Sequence, residues 1–305
     1  MTKIEELRAI QLELLQHFIM VCERENLKWY VSHGTLLGTM REEGYLIWDD
    51  DIDIMMPRLD YNIMMEHQEW FAEPYYLQKP TDPGRVGMLR LRKDGTTAFD
   101  KPLYKLLING GHHGIYMDIL PIDEIEDSGF CNLSGRTIPA SFFEPFAEAQ
   151  FEGIRVRVPA QARKILTALY GYWNWPCGCE NIKPSTWFFD SKTDYSVYVK
   201  RYTGWLKAAE NKKIYLFGAA DSLRIWLNDF GLFNQVVCTF DNDSDKWGKD
   251  AFGIKVQNPA ELPKVLDTNS CLIVVSIWHQ EIGKQLEEMG ISEYYVFLDG
   301  LFHKR

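Results

Sequence analysis

Basic residues are what this sequence is short of: 33 Lys and Arg stand against 43 Asp and Glu, a formal charge of −10. Such a chain has no general affinity for nucleic acid or an anionic membrane, because both are bound through clustered positive charge. An anionic small substrate stays open, provided a metal ion and a few arginines mask the charge locally. Long apolar runs are missing as well. The strongest, CLIVVSIW from Cys271 to Trp278, is strand-sized and falls short of the roughly 18 residues of a spanning helix. Cysteine is sparse, with six in 305 residues. The opening MTKIEELRAIQLELLQHF reads as a charged helix rather than a signal peptide, so reduced thiols and a cytoplasmic location are expected. Cys177 and Cys179 form a lone CxC with no second pair at zinc-ligand spacing, which reads as a loop feature.

What the chain does have is core material: 46% hydrophobic and 14% aromatic residues, over a length that suggests about two domains. Residues 3–25 place apolar side chains at helical spacing. Trp29 to Val31 is a short strand, Leu36 to Arg41 starts a helix, and Tyr45 to Met56 reads as a strand ended by Pro57. A helix over 58–70, a strand over 86–92 paired with 96–99, a strand over 114–120 ended by Pro121, a helix over 142–150, a strand over 151–159 and a helix over 160–170 complete a first domain. From residue 212, strand and helix alternate, the pattern of a parallel sheet with crossovers. The expected division is therefore 1–209 and 210–305. The expected fold class is α/β: a mixed sheet with helices, then a smaller Rossmann-like parallel domain.

The chemistry concentrates in YLIWDDDIDIMM, which packs four aspartates into five positions. Asp is depleted in strands, and an unpaired buried charge is costly. Read as a strand, Asp49, Asp51 and Asp53 share one face. Asp51 and Asp53 then lie about 6.6 Å apart at Cα, two strand steps. Carboxylates so placed can converge on one divalent cation, and magnesium commonly takes one or two of them plus substrate phosphates. In GIYMDIL, Asp118 is a second isolated acid in an apolar strand. It supplies a third carboxylate for a metal-plus-base site; alternatively an arginine or a helix cap satisfies it. Upstream, Gly34-Thr35 follows a strand and opens a helix. Backbone N–H groups there favour phosphate oxygens, although a tight turn would use the same residues. His112-His113 point to different sides and are expected at most to line the site.

The order strand, Gly-Thr, helix, Asp-x-Asp, distant strand Asp resembles the nucleotidyltransferase fold. More closely, HGTLLGTMREEGYLIWDDDIDIMMPRLDY is similar to the signature of the LicD/fukutin family, and GIYMDILPID and FEGIRVRVP followed by ALYGYW resemble its later blocks. The likeness runs over about residues 5–175. It implies a transferase that moves a phospho-alcohol, such as phosphocholine, from a CDP-linked donor to a hydroxyl of a surface glycan (lipopolysaccharide, teichoic acid or capsule), with Mg²⁺ or Mn²⁺. It implies Asp51, Asp53 and Asp118 as catalytic and metal-binding acids. Gly34 and Thr35 match the phosphate-side turn and Arg41 the arginine of the first block. Arg90 and Arg92, on one strand face, are candidates to clamp phosphate oxygens, with surface ion pairs as the alternative. Two departures stand out: LIW replaces a proline-containing approach to the aspartates, and Arg90 stands where lysine is common.

Two other functions fit the same residues. One is a nucleotidyltransferase that releases pyrophosphate. The other is a non-catalytic nucleotide-sugar-binding or scaffold protein using the second domain. In that domain the turn Gly218-Ala219-Ala220-Asp221 keeps only the first glycine of a dinucleotide fingerprint, which argues against NAD.

Overall fold

The computed structural model describes residues 2–82, 87–99, 111–173, 188–230 and 232–297. They fall into two compact units, the first running to Tyr195 and the second from Ser196.

The first unit opens with α1 (Lys3–Arg24), begun by a reciprocal Thr2/Glu5 capping box. Leu7, Leu14, Leu15, Phe18, Val21 and Cys22 form its buried stripe. There follow β1 (Tyr30–Val31), α2 (His33–Glu42), β2 (Asp53–Pro57), α3 (Arg58–Glu66), β3 (Tyr75–Gln78), β4 (Leu89–Lys93), β5 (Thr97–Phe99), β6 (Tyr116–Ile125), β7 (Phe130–Leu133), β8 (Arg136–Pro139), β9 (Ala147–Phe151), β10 (Ile154–Val158), α4 (Ala162–Tyr170) and β11 (Phe188–Asp190). The main sheet runs β1-β2-β6-β4-β3, with β7 and β8 extending from the far half of β6. Along that path β2 and β6 are parallel and the other pairs antiparallel. Ile54, Met56, Leu89, Leu91, Met117 and Ile119 join the α1 stripe in one core.

Several sequence expectations change. The aspartate-rich stretch is a loop through Ile52, and the strand begins at Asp53. The chain turns at Leu46 to Asp49, where Asp49 N donates to Leu46 O at 3.0 Å, and Ile47 is exposed. Pro121 does not end its strand; β6 runs through it, with Pro121 opposite Met56. The helix expected over 142–150 is a short 3-10 turn followed by β9, which pairs with β10. Pro145 is the physical reason, since it denies the helix a donor, and Glu152-Gly153, both at positive φ, make the hairpin turn. Thr97 to Phe99 pairs with β11 rather than with β4. Cys177 and Cys179 lie outside the described residues.

The second unit takes α5 (Tyr195–Ala209) from its second residue, then β12 (Lys213–Phe217), α6 (Asp221–Phe230), β13 (Val236–Phe240), β14 (Asp250–Ala251), β15 (Ile254–Gln257), α7 (Leu262–Val265), β16 (Ser270–Val274), α8 (His279–Glu288) and β17 (Tyr295–Val296). Strand order is β14-β15-β13-β12-β16-β17, parallel throughout except at β14. The chain thus winds outward from β12 to one side and then returns to the other with β16, the order of a doubly wound sheet. Tyr215, Phe217, Cys238, Phe240, Leu272, Val274, Ile282 and Leu286 form a core of its own.

Candidate active site

The acids assemble where the amino end of β2 meets the start of α2 and the first residues of β6. Asp53 and Asp118 are direct partners on neighbouring parallel strands, so their side chains leave the sheet on the same face. Ser32 N donates to Asp53 O at 2.9 Å and Asp118 N to Ile52 O at 2.9 Å, which fixes the register on both sides.

The helix start holds this corner from above. The Gly34 N–H donates to the Asp53 carboxylate, and Asp53 N donates to the Thr35 hydroxyl at 2.8 Å. Gly34 and Thr35 therefore sit at the site, and the geometry supplies their local reason. A Cβ on Gly34 would stand 2.7 Å from Asp49 Oδ2, so glycine admits a carboxylate as close as a phosphate would come.

The cluster is electrostatically loaded. Burial, then the charges of Asp51, Asp118 and Asp49, push the Asp53 carboxyl far above its ordinary range, against the opposing Gly34 N–H. Burial and Asp51 push Asp49 up to about 8. Its Oδ2 is buried without a hydrogen-bond partner. Neighbouring carboxylates resist sharing charge unless a cation joins them. Among the described residues, no three His, Cys, Asp or Glu side chains form a ready ligand set. The donor chemistry nevertheless fits a hard divalent ion: oxygen ligands only, an orphaned buried carboxylate oxygen, and too few protein ligands to exclude substrate phosphates.

The arginines divide. Arg90 lies opposite Asp118 on β4 and grips it through Nε at 2.6 Å and Nη2 at 3.3 Å, both side chains largely buried. Arg92 is on the same face, but its guanidinium donates to Gln78 Oε1 at 2.7 Å and to Gly114 O at 2.8 Å. Both stack over the Tyr116 ring, at 3.8 and 4.9 Å. Arg41, in the last turn of α2, pairs with Glu42 at 3.6 Å and lies 6.0 Å from the Trp48 ring centre. His112 stacks on Tyr76 and bonds Asp94 at 2.5 Å, while His113 is buried.

Four residues that sequence reasoning did not select belong here. Arg8 of α1 donates to Leu46 O at 2.8 Å and Asp49 O at 2.6 Å. Gln11, one turn on, donates to Asp50 O at 2.8 Å and accepts from the Tyr45 hydroxyl at 3.1 Å. These two side chains hold the acid loop by its carbonyls, and nothing local in the sequence marks them. Asp49 was visible as a member of the acidic run. Tyr170 ends α4 and is 45% exposed; desolvation of its hydroxyl and then the charges of Asp53, Asp49 and Asp51 raise its pKa. Its signal was the ALYGYW block.

Carboxylates on adjacent strands thus gather beside a helix start in a mixed α/β sheet. Residues 26–161, a little under half of the chain, match the family model described as LicD/FKTN/FKRP, nucleotidyltransferase domain. Residues 210–297 match the model described as C2185-like, N-terminal. The lipopolysaccharide cholinephosphotransferase LicD of Haemophilus influenzae is 35% identical over 72 residues, which is 24% of this chain and 26% of that protein. The match thus spans about a quarter of that relative. Among solved structures, ANT(2")-Ia in complex with adenylyl-2"-tobramycin is similar over 55% of this chain and 79% of that one, with 16% identity and a TM-score of 0.34.

Proposed function

We propose that the first unit transfers a phospho-alcohol, of the phosphocholine kind, from a CDP-linked donor to a hydroxyl of a lipopolysaccharide or similar surface glycan. The observation that carries this reading is the side-by-side placement of Asp53 and Asp118, with Asp51 and Asp49 crowding Asp53 at the start of α2. The name of the Haemophilus influenzae relative supports the choice of group and acceptor.

In this reading Asp51 and Asp53 hold Mg²⁺ or Mn²⁺. The ion, when bound, supplies positive charge against the donor phosphates. Gly34 and Thr35 shape the wall beside Asp53. Arg90 orients Asp118, which takes the proton of the acceptor hydroxyl. The acceptor oxygen–phosphorus bond forms, the bond to CMP breaks, and CMP leaves with the electron pair. Positioning and electrostatics carry such transfers. No helix among the described residues is long and apolar enough to cross a membrane. A cytoplasmic location, where a CDP-linked donor would be met, completes the proposal.

The test is product analysis with CDP-choline and Mg²⁺. Free CMP supports the transferase. Pyrophosphate release from a nucleoside triphosphate, with CDP-choline inert, would assign the site to nucleotidyl transfer instead.

A further inference from the structure

The second unit holds a cavity of about 630 Å³ at the carboxyl ends of β12, β13 and β16. In a doubly wound sheet, this is where the chain departs to opposite sides and leaves room for a ligand. Gly218 ends β12 with φ +124°, and a Cβ there would stand 2.6 Å from the Val275 carbonyl oxygen. Glycine thus lets the β12–α6 and β16–α8 turns close together as the cavity floor. We infer that this cavity binds a neutral sugar ring.

Its volume suits a small ligand. Its lip carries Ile277 and Trp278, 57% and 63% exposed. Large apolar side chains left in water beside a cleft mark a contact surface, and an indole face covers the C–H face of a pyranose. Opposite stands Asp241 at the end of β13. Its Oδ2 accepts from Ala219 N at 2.8 Å and Lys246 Nζ at 3.1 Å, and its Oδ1 accepts from Asp243 N at 2.9 Å. Held from three sides, the carboxylate keeps a fixed direction, and its remaining lone pairs can accept from sugar hydroxyls.

The same lining disfavours phosphate. The first turns of α6 and α8 each carry an acid, Asp221 and Glu281, and both line the cavity. The positive ends of both helices are thereby answered by carboxylates of the chain itself. Asp221 also pairs with Arg224 at 3.4 Å. Lys246, the one cationic side chain in the lining among the described residues, is engaged by Asp241. A pyrophosphate would moreover meet the methyl groups of Ala219 and Ala220 where a dinucleotide turn uses glycine.

This inference rests on the second unit alone and is independent of the transfer chemistry. Saturation-transfer NMR on the full chain tests it, with neutral methyl pyranosides as probes and CMP, CDP and UDP as anionic comparators. At least one pyranoside should bind, and Trp278→Ala should weaken it at least about fivefold, the scale of one aromatic contact. Trp278→Ala should melt with the wild type, since the side chain is exposed. Asp53→Asn should bind the sugar unchanged, which separates failure here from failure at the acid cluster. Absence of pyranoside binding by the wild type would overturn the inference. So would nucleotide binding that Trp278→Ala abolishes while Asp53→Asn leaves it intact.

Discussion

Asp53 shares its surroundings with Asp49, Asp51 and Asp118, and the Gly34 N–H alone is too little to offset them. The consequence is measurable without a substrate. Asp49 is pushed from an ordinary 3.8 to about 8, so the metal-free fold binds this proton more tightly than the unfolded chain does. Stability from this group is fully present below about pH 3.8 and is lost as pH rises through about 8. A pH series of thermal melts in chelator should therefore fall across that window, and Asp49→Asn should flatten the fall. A slope unchanged in Asp49→Asn would contradict this placement of the charge. Arg90 gives a second prediction. Its pair with Asp118 is largely buried, and removing one partner of such a pair costs about 3–5 kcal/mol. Arg90→Met should lower stability on that scale in chemical denaturation. An unfolding free energy unchanged within error would show that the ion pair is not held in solution.

The acid loop is positioned by an element far from it in sequence. Arg8 and Gln11 of α1 take the carbonyls of Leu46, Asp49 and Asp50, so α1 is a splint for the loop as well as a cover for the sheet. Groups that orient ligands typically change metal affinity roughly 10–100-fold when removed. Arg8→Ala should weaken Mn²⁺ binding on that scale in calorimetric titration while the sheet core stays intact; affinity equal to wild type would refute the splint. The sequence made part of this legible. The apolar pattern of GIYMDIL puts Asp118 on a strand, and the Asp-x-Asp run contains the Asp53 that the structure sets beside it. The expected strand starts too far upstream because Asp51-Ile52-Asp53-Ile54 alternates and its pattern reads back through Asp49, whereas Arg8 and Gln11 satisfy the Leu46, Asp49 and Asp50 carbonyls with side-chain donors in place of a ladder. The hairpin at Glu152-Gly153 was hidden behind Phe142, Phe143 and Phe146, whose spacing mimics a helix that Pro145 forbids. Contacts such as Arg8 to Leu46 link positions 38 apart, and no local pattern encodes them.

At the scale of the molecule, each unit has its own core, and the acids belong wholly to the first. A ligand stabilises the part whose native state it binds. Mg²⁺ with CDP should raise the melting of the first unit and leave the second unmoved in a calorimetric scan; a shift confined to the second would relocate the nucleotide. The claim on which the rest depends is that Asp51 and Asp53 share one cation. Anomalous diffraction from crystals soaked in Mn²⁺ and CDP measures it directly. The account predicts a peak within coordination distance of both carboxylates, with a donor phosphate oxygen on its open side. A peak elsewhere, or none while Asp53 keeps its bond to the Gly34 N–H, would contradict it.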